Sequence, residues 1–322
     1  MHTGIFYIYL LSFFSFSSER IELSADVSAS GRSFDVSINT IINDSTSCII
    51  PFNRVGNLMV VKAKVDTTEG NFILDTGAPH LVLNPTYFRD YPVTTSDGEQ
   101  TNITGGTPSI STTSIGKLSF GTLSFNKLDA DLVSLGNIEN ARGIKVLGLL
   151  GLDLFKQCEM IIDFEKSLIY LHRIGRKESS IYQHASLKDT SLYKTFPIEI
   201  TDNRILVSTV LAGKKLKLVI DCAAESNILD SRLPNQVFEN ITITGKTKVT
   251  GTGNKKIEAL LGTMSNMKMG DYDMGDMSVL VTNLEKTCFS YAGCVNGVLG
   301  FNFLSLHKVG FNFVKRKMYI WK

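Results

Sequence analysis

Residues 72–83 read FILDTGAPHLVL, and the organisation of the chain follows from them. Three apolar residues run into Asp75-Thr76-Gly77-Ala78, and a second apolar run follows. A carboxylate at the end of a buried strand is costly unless it has partners. A glycine two residues later lets the backbone turn sharply or meet another segment closely. From average residue usage, an Asp-Thr-Gly triplet arises by chance in roughly one chain of this length in ten. The triplet gains weight from a second, altered copy, LVIDCAAESNIL at 218–229, with Asp221 standing 146 positions after Asp75.

The correspondence extends through both halves. Met59-Val60-Val61 matches Ile205-Leu206-Val207, Asn84 matches Asp230, and Gly105 matches Gly251 at the same offset. Gly121 matches Gly270 and Gly151 matches Gly300, now 149 apart, so three residues have been inserted between. Asn84, followed by Pro85, and Asp230 read as helix caps. Two copies are too few for a repeat array and read better as two lobes facing one another. Residues 1–17 read as a signal peptide, with a buried N-terminal strand as the alternative, since only His2 stands where a basic residue is usual. Residues 18–50 are a linker with a strand, 51–173 the first lobe, 174–194 a polar linker and 195–322 the second lobe.

Composition narrows the function. The 322 residues are 43% hydrophobic and 20% charged, enough for two domains with ordinary cores. A net charge of +2 without basic or acidic blocks gives no footprint for nucleic acid. Val, Ile, Thr and Phe runs between Gly-, Asn- and Asp-containing turns indicate an all-β chain. No Cys/His spacing suggests zinc, and neither metal nor cofactor is expected. Of five cysteines, Cys288 and Cys294 bracket a short loop and form the disulfide candidate of an exported protein.

Lobes docked about a pseudo-twofold axis bring Asp75 and Asp221 together. Two carboxylates near contact cannot both ionise cheaply, so one proton is shared and the pair titrates in two separated steps. The ionised member can take a proton from water while the protonated member donates to an amide carbonyl. A cover over such a pair is needed. Gly105, Gly106, Gly251 and Gly253 fall about 30 residues after each Asp and suit hairpin tips there. An extended peptide or protein substrate then pairs with strand edges.

ILDTGA, LLGLDLF and the closing IIDF and LIYL segments resemble retropepsin-like aspartic proteases of the bacterial kind. VIDCAA, VLGFNF and the closing GFNF and MYIW segments resemble a second such domain, so the resemblance covers roughly residues 50–322. It implies a bilobal acid-protease fold with short helices, a catalytic Asp from each lobe, a flap, and a monomeric pseudo-dimer acting as an endopeptidase. Thr76, Gly77, Ala78, Cys222, Ala223 and Ala224 then support the two loops, and Leu149-Leu150-Gly151 and Val298-Leu299-Gly300 run beside them. In the family the residue after each Asp is usually Thr or Ser, whose hydroxyl bonds across the lobes. Cys222 brings only a weak S–H donor, and Ala223 replaces a glycine at a cost of about 1 kcal/mol if φ there is positive. The alternative is therefore a catalytically impaired, peptide-binding scaffold on the same fold.

Overall fold

In a computed structural model, residues 7–8, 46–102, 105–201, 203–250, 256–285 and 295–322 are described. The chain is all-β and two-lobed. Each Asp terminates a strand that is apolar on both faces. In Thr68–Leu74, Phe72 and Leu74 enter the main core, while Ile73 enters a second cluster with Leu58, Val60, Val82 and Leu149. Burial on both faces explains an unbroken apolar run where a half-exposed strand would alternate.

The strand pairing around the two aspartates is the same. Gly148–Leu150 lies parallel to Thr68–Leu74 and antiparallel to Leu81–Leu83, with Leu150 opposite Leu74. Gly297–Leu299 lies parallel to Lys214–Ile220 and antiparallel to Asn227–Asp230, with Leu299 opposite Ile220. Leu81–Leu83 and Asn227–Asp230 each take a further parallel partner, Leu123–Leu132 and Met277–Thr282 respectively.

The hairpins that close the halves do not close them separately. Cys158–Asp163 pairs with Val309–Asn312, joining the hairpins into one six-stranded sheet. Its order is Tyr193–Pro197, Lys317–Trp321, Val309–Asn312, Cys158–Asp163, Leu168–Arg173, Ser47–Pro51, three strands from each half. Two hairpin edges that would each present unpaired N–H and C=O groups satisfy one another.

Asn84 does not cap a helix. Its Oδ1 accepts from Thr86 N at 3.3 Å and its carbonyl from Tyr87 N at 3.0 Å, which makes a turn. Phe88 is buried with Tyr91 edge-on to it at 5.5 Å, so this short segment is held by packing rather than by the costly nucleation of a helix. On the other side Asp230 Oδ1 accepts from Arg232 N, and the helix Asn235–Phe238 begins after Pro234.

Gly105 opens the strand Gly105–Phe120 opposite Asn102, and Gly106 lies opposite Thr101, so both sit at the end of a hairpin. The strands Ile241–Thr250 and Lys256–Met264 form the corresponding hairpin. Gly251, Gly253, Cys288 and Cys294 lie outside the described residues, as do residues 1–17 apart from Tyr7–Ile8, which pairs in parallel with Gln100–Thr101.

Gly300 shows what close approach demands. Its φ of −106° is open to any residue, but a Cβ there would sit 2.3 Å from the Ala224 carbonyl oxygen and 2.7 Å from that of Ser226. Gly300→Ala should lower unfolding stability by about 3 kcal/mol, read by urea denaturation. Gly245→Ala, with nothing within 4 Å of the added atom, should change it by less than about 0.5 kcal/mol. Equal effects would contradict this packing.

Candidate active site

The two aspartate loops are built alike. Asp75 N donates to Leu150 O at 3.0 Å, and Asp221 N donates to Leu299 O at 3.1 Å. Asp75 Oδ1 accepts from Gly77 N at 2.9 Å and Ala78 N at 3.0 Å. Asp221 Oδ1 accepts from Ala223 N at 2.9 Å and Ala224 N at 3.1 Å. Each loop then continues equivalently: Leu152 N donates to Ala78 O, and Phe301 N to Ala224 O, both at 2.8 Å. One oxygen of each carboxylate is thus fixed by its own loop. The other, Oδ2, is buried in both residues and takes no hydrogen bond from any donor among the described residues.

Both side chains are fully buried. They act directly on each other's ionisation, and Asp221 Oδ2 lies only 2.4 Å from where a Cβ on Gly77 would be. Burial pushes both carboxyls above the ordinary carboxylate range, and the Asp75 charge pushes Asp221 further. The loop amides oppose this by stabilising the ionised forms. The two carboxyls therefore titrate as a pair rather than independently.

Four hydrogen bonds lock the loops together. Thr76 Oγ1 donates to Ile220 O at 3.2 Å and accepts from Cys222 N at 3.0 Å. Reciprocally, Cys222 Sγ donates to Leu74 O at 3.2 Å and accepts from Thr76 N at 3.2 Å. Burial pushes the Cys222 thiol well up, so it stays S–H and keeps the proton it donates. The thiol therefore occupies the place and the bonding pattern of a hydroxyl. A sulfur donor is the weaker one, but the donor of one bond and the acceptor of the other are both present.

Ala223 carries no backbone penalty, since its φ is not positive. Its methyl is buried against the first-lobe cluster of Leu58, Val60, Ala78 and Leu149. The loops differ here: a methyl is accommodated at 223, while at 77 it would collide with the Asp221 carboxylate.

Sequence reasoning missed a further contact. Glu225, four residues after Asp221, is 3% exposed and forms an ion pair with Arg142 Nη2. Its Oε2 accepts from Asn57 N at 3.2 Å, and its carbonyl accepts from Asn57 Nδ2 at 2.9 Å. The second aspartate loop is thereby clamped to the first half of the chain. The only sequence signal is a charge set inside an apolar run, because the matching residue is Pro79. His80 has Nδ1 2.6 Å from Asp153 Oδ2, and Lys156 pairs with the other oxygen of Asp153. Asp163 accepts from Lys166 N and lies 3.5 Å from Lys308 Nζ, so Asp153 and Asp163 are engaged away from the pair. Among the described residues no group of three or more His, Cys, Asp or Glu is placed to hold a metal ion.

Residues 61–154 match the model of a protein family described as aspartyl protease. The matched stretch contains Asp75 and Gly151 and ends before Asp221. No curated protein matches the chain significantly. The similarity supports a protease-type function of the aspartic class.

Breaking a buried ion pair on one side leaves an uncompensated charge and costs about 3–5 kcal/mol. Glu225→Gln should lower unfolding stability by this order, and Arg142→Met by a comparable amount. The double variant should recover much of the loss, as measured by a denaturation cycle. Additive losses would contradict a direct pair.

Proposed function

We propose that the chain is an endopeptidase that hydrolyses peptide bonds through a water activated between Asp75 and Asp221. The observation that carries this reading is the matched bonding of the two loops. It fixes one oxygen of each carboxylate and leaves the other pair free of loop donors in a buried setting. The ionised carboxylate takes a proton from the water as its oxygen attacks the amide carbon. The protonated carboxyl gives its proton to the carbonyl oxygen, forming a neutral tetrahedral diol. Collapse of the diol passes a proton to the amide nitrogen, the C–N bond breaks, and the pair returns to its singly protonated state.

The binder reading rested on Cys222 and Ala223. The bonds made by the Cys222 thiol and the ordinary backbone of Ala223 weigh against it. On the proposed reading one chain supplies both carboxylates, so activity resides in the monomer. The hairpin of Thr94–Asn102 with Gly105–Phe120 and that of Ile241–Thr250 with Lys256–Met264 serve as flaps over an extended substrate. The apolar leader implies export.

The test is cleavage of a reduced, alkylated protein as a function of pH. Activity needs one proton on the pair. It falls at low pH as the second carboxylate binds a proton, and at high pH as the last one leaves. Because burial and mutual repulsion raise the latter step, the alkaline limb should lie well above the ordinary carboxylate range. Asp75→Asn and Asp221→Asn should each lower turnover by at least ~100-fold. Wild-type activity in either variant would end the proposal.

A further inference from the structure

The six-stranded sheet has a face turned away from the main core, and the connector between the two halves crosses it. On the half nearer the C-terminus this face is filled: Leu187, Tyr193 and Tyr319 pack together with Trp321 against them. On the other half the same face is hollow. A cavity of about 270 Å³ opens there, lined by Glu159, Ile161, Tyr170 and His172 of the sheet and by Tyr182 and His184 of the connector. Ile49, 49% exposed, also lines it.

The walls are aromatic, and Glu159 sets a carboxylate among them. His172, 6% exposed, stacks on Tyr182 with ring centroids 3.6 Å apart. Tyr170 and His184 lie 5.4 Å apart. Glu159 is 2% exposed, yet its carboxylate accepts only from neutral donors, Asn312 Nδ2 at 2.7 Å and His184 N at 3.2 Å. Among the described residues no cation pairs with it. Lys315 and His172 act on it at longer range without pairing: Lys315 Nζ donates to Tyr182 O at 2.9 Å, and Lys308 Nζ lies 3.5 Å from Asp163 and 5.7 Å from the Tyr170 ring centroid. His172 Nδ1 bonds Ser47 Oγ at 2.6 Å, while its Nε2, 3.3 Å from Glu178 Oε1, makes no hydrogen bond.

A carboxylate withdrawn from water, with no cation in direct contact among the described residues and beside an open cavity, favours a cation. Aromatic faces attract organic cations and stack on planar groups. We propose that this cavity is a binding site for a small aromatic amine, its ammonium on Glu159 and its ring among Tyr170, His172, Tyr182 and His184. Because two of those rings come from the connector, an occupant fastens the connector to the shared sheet. The site is separate from the aspartate pair and does not depend on the peptidase reading.

Calorimetric titration of the full chain with benzylamine tests this, with benzyl alcohol and benzoate as controls. Benzylamine should bind saturably and about tenfold or more tightly than either control, the difference of a charge-assisted hydrogen bond. Amide exchange in residues 178–187 should slow when it binds. Glu159→Gln should weaken binding about tenfold. Since Glu159 is buried, Ile49→Arg serves as a second variant, setting a guanidinium at an exposed position of the mouth; it should also weaken binding about tenfold with an unchanged denaturation midpoint. No saturable binding of benzylamine, equal binding of benzyl alcohol, or undiminished binding in a folded variant would overturn the proposal.

Discussion

Two carboxylates are held against one another where neither has access to solvent, and the architecture around them answers that cost. A buried charge without partners is worth several kcal/mol of destabilisation. Here each aspartate receives two amide hydrogen bonds on one oxygen, and each such bond to a charged acceptor contributes about 1.5–3 kcal/mol. The facing oxygens gain nothing from the loops, so ionising both at once is unfavourable and a single retained proton is the cheaper state. On the proposed reading, this balance poises the pair for acid and base chemistry at one place.

Holding that arrangement takes three devices acting at different distances. Nearest are the reciprocal bonds between Thr76 and Cys222, which fix the relative height of the loops. Next come Gly151 and Gly300, whose missing side chains let the following segments pass so near the loop carbonyls that an added Cβ would stand 1.9 Å from the His80 oxygen and 2.3 Å from that of Ala224. Farther out, Glu225 and Arg142 tie the second loop to the first half, and the six-stranded sheet joins the halves behind the site. The second half departs from the first at Cys222, Ala223 and Glu225. The first two are tolerated by local packing, and the third adds a clamp that Pro79 has no means to make in the first half.

Much of this is legible in the sequence itself. The paired Asp loops, the strands leading into them and the hydrophobic-hydrophobic-Gly segments announce themselves because burial on both faces forces unbroken apolar runs, and close backbone approach forces glycine. The fate of Cys222 was not legible. Its chemistry says weak donor, and only the positions of Leu74 O and Thr76 N show that a weak donor and an acceptor suffice there. Glu225–Arg142 was hidden for another reason: the partners lie 83 residues apart and belong to no shared pattern. Asn84-Pro85 misled because local capping chemistry fits a turn as well as a helix, and the packing of Phe88 and Tyr91 decided between them. The shared sheet was equally invisible, since each hairpin looks complete in its own sequence.

The most direct measurement is a titration of the aspartate carboxyl carbons by nuclear magnetic resonance, comparing the intact chain with Asp75→Asn and Asp221→Asn. The account predicts that the pair keeps one proton well above the ordinary carboxylate range, that each residue's resonance follows both ionisation steps, and that removing either partner collapses the two steps to one. Independent titration of Asp75 and Asp221, each near pH 4 as for a free aspartate, would contradict it.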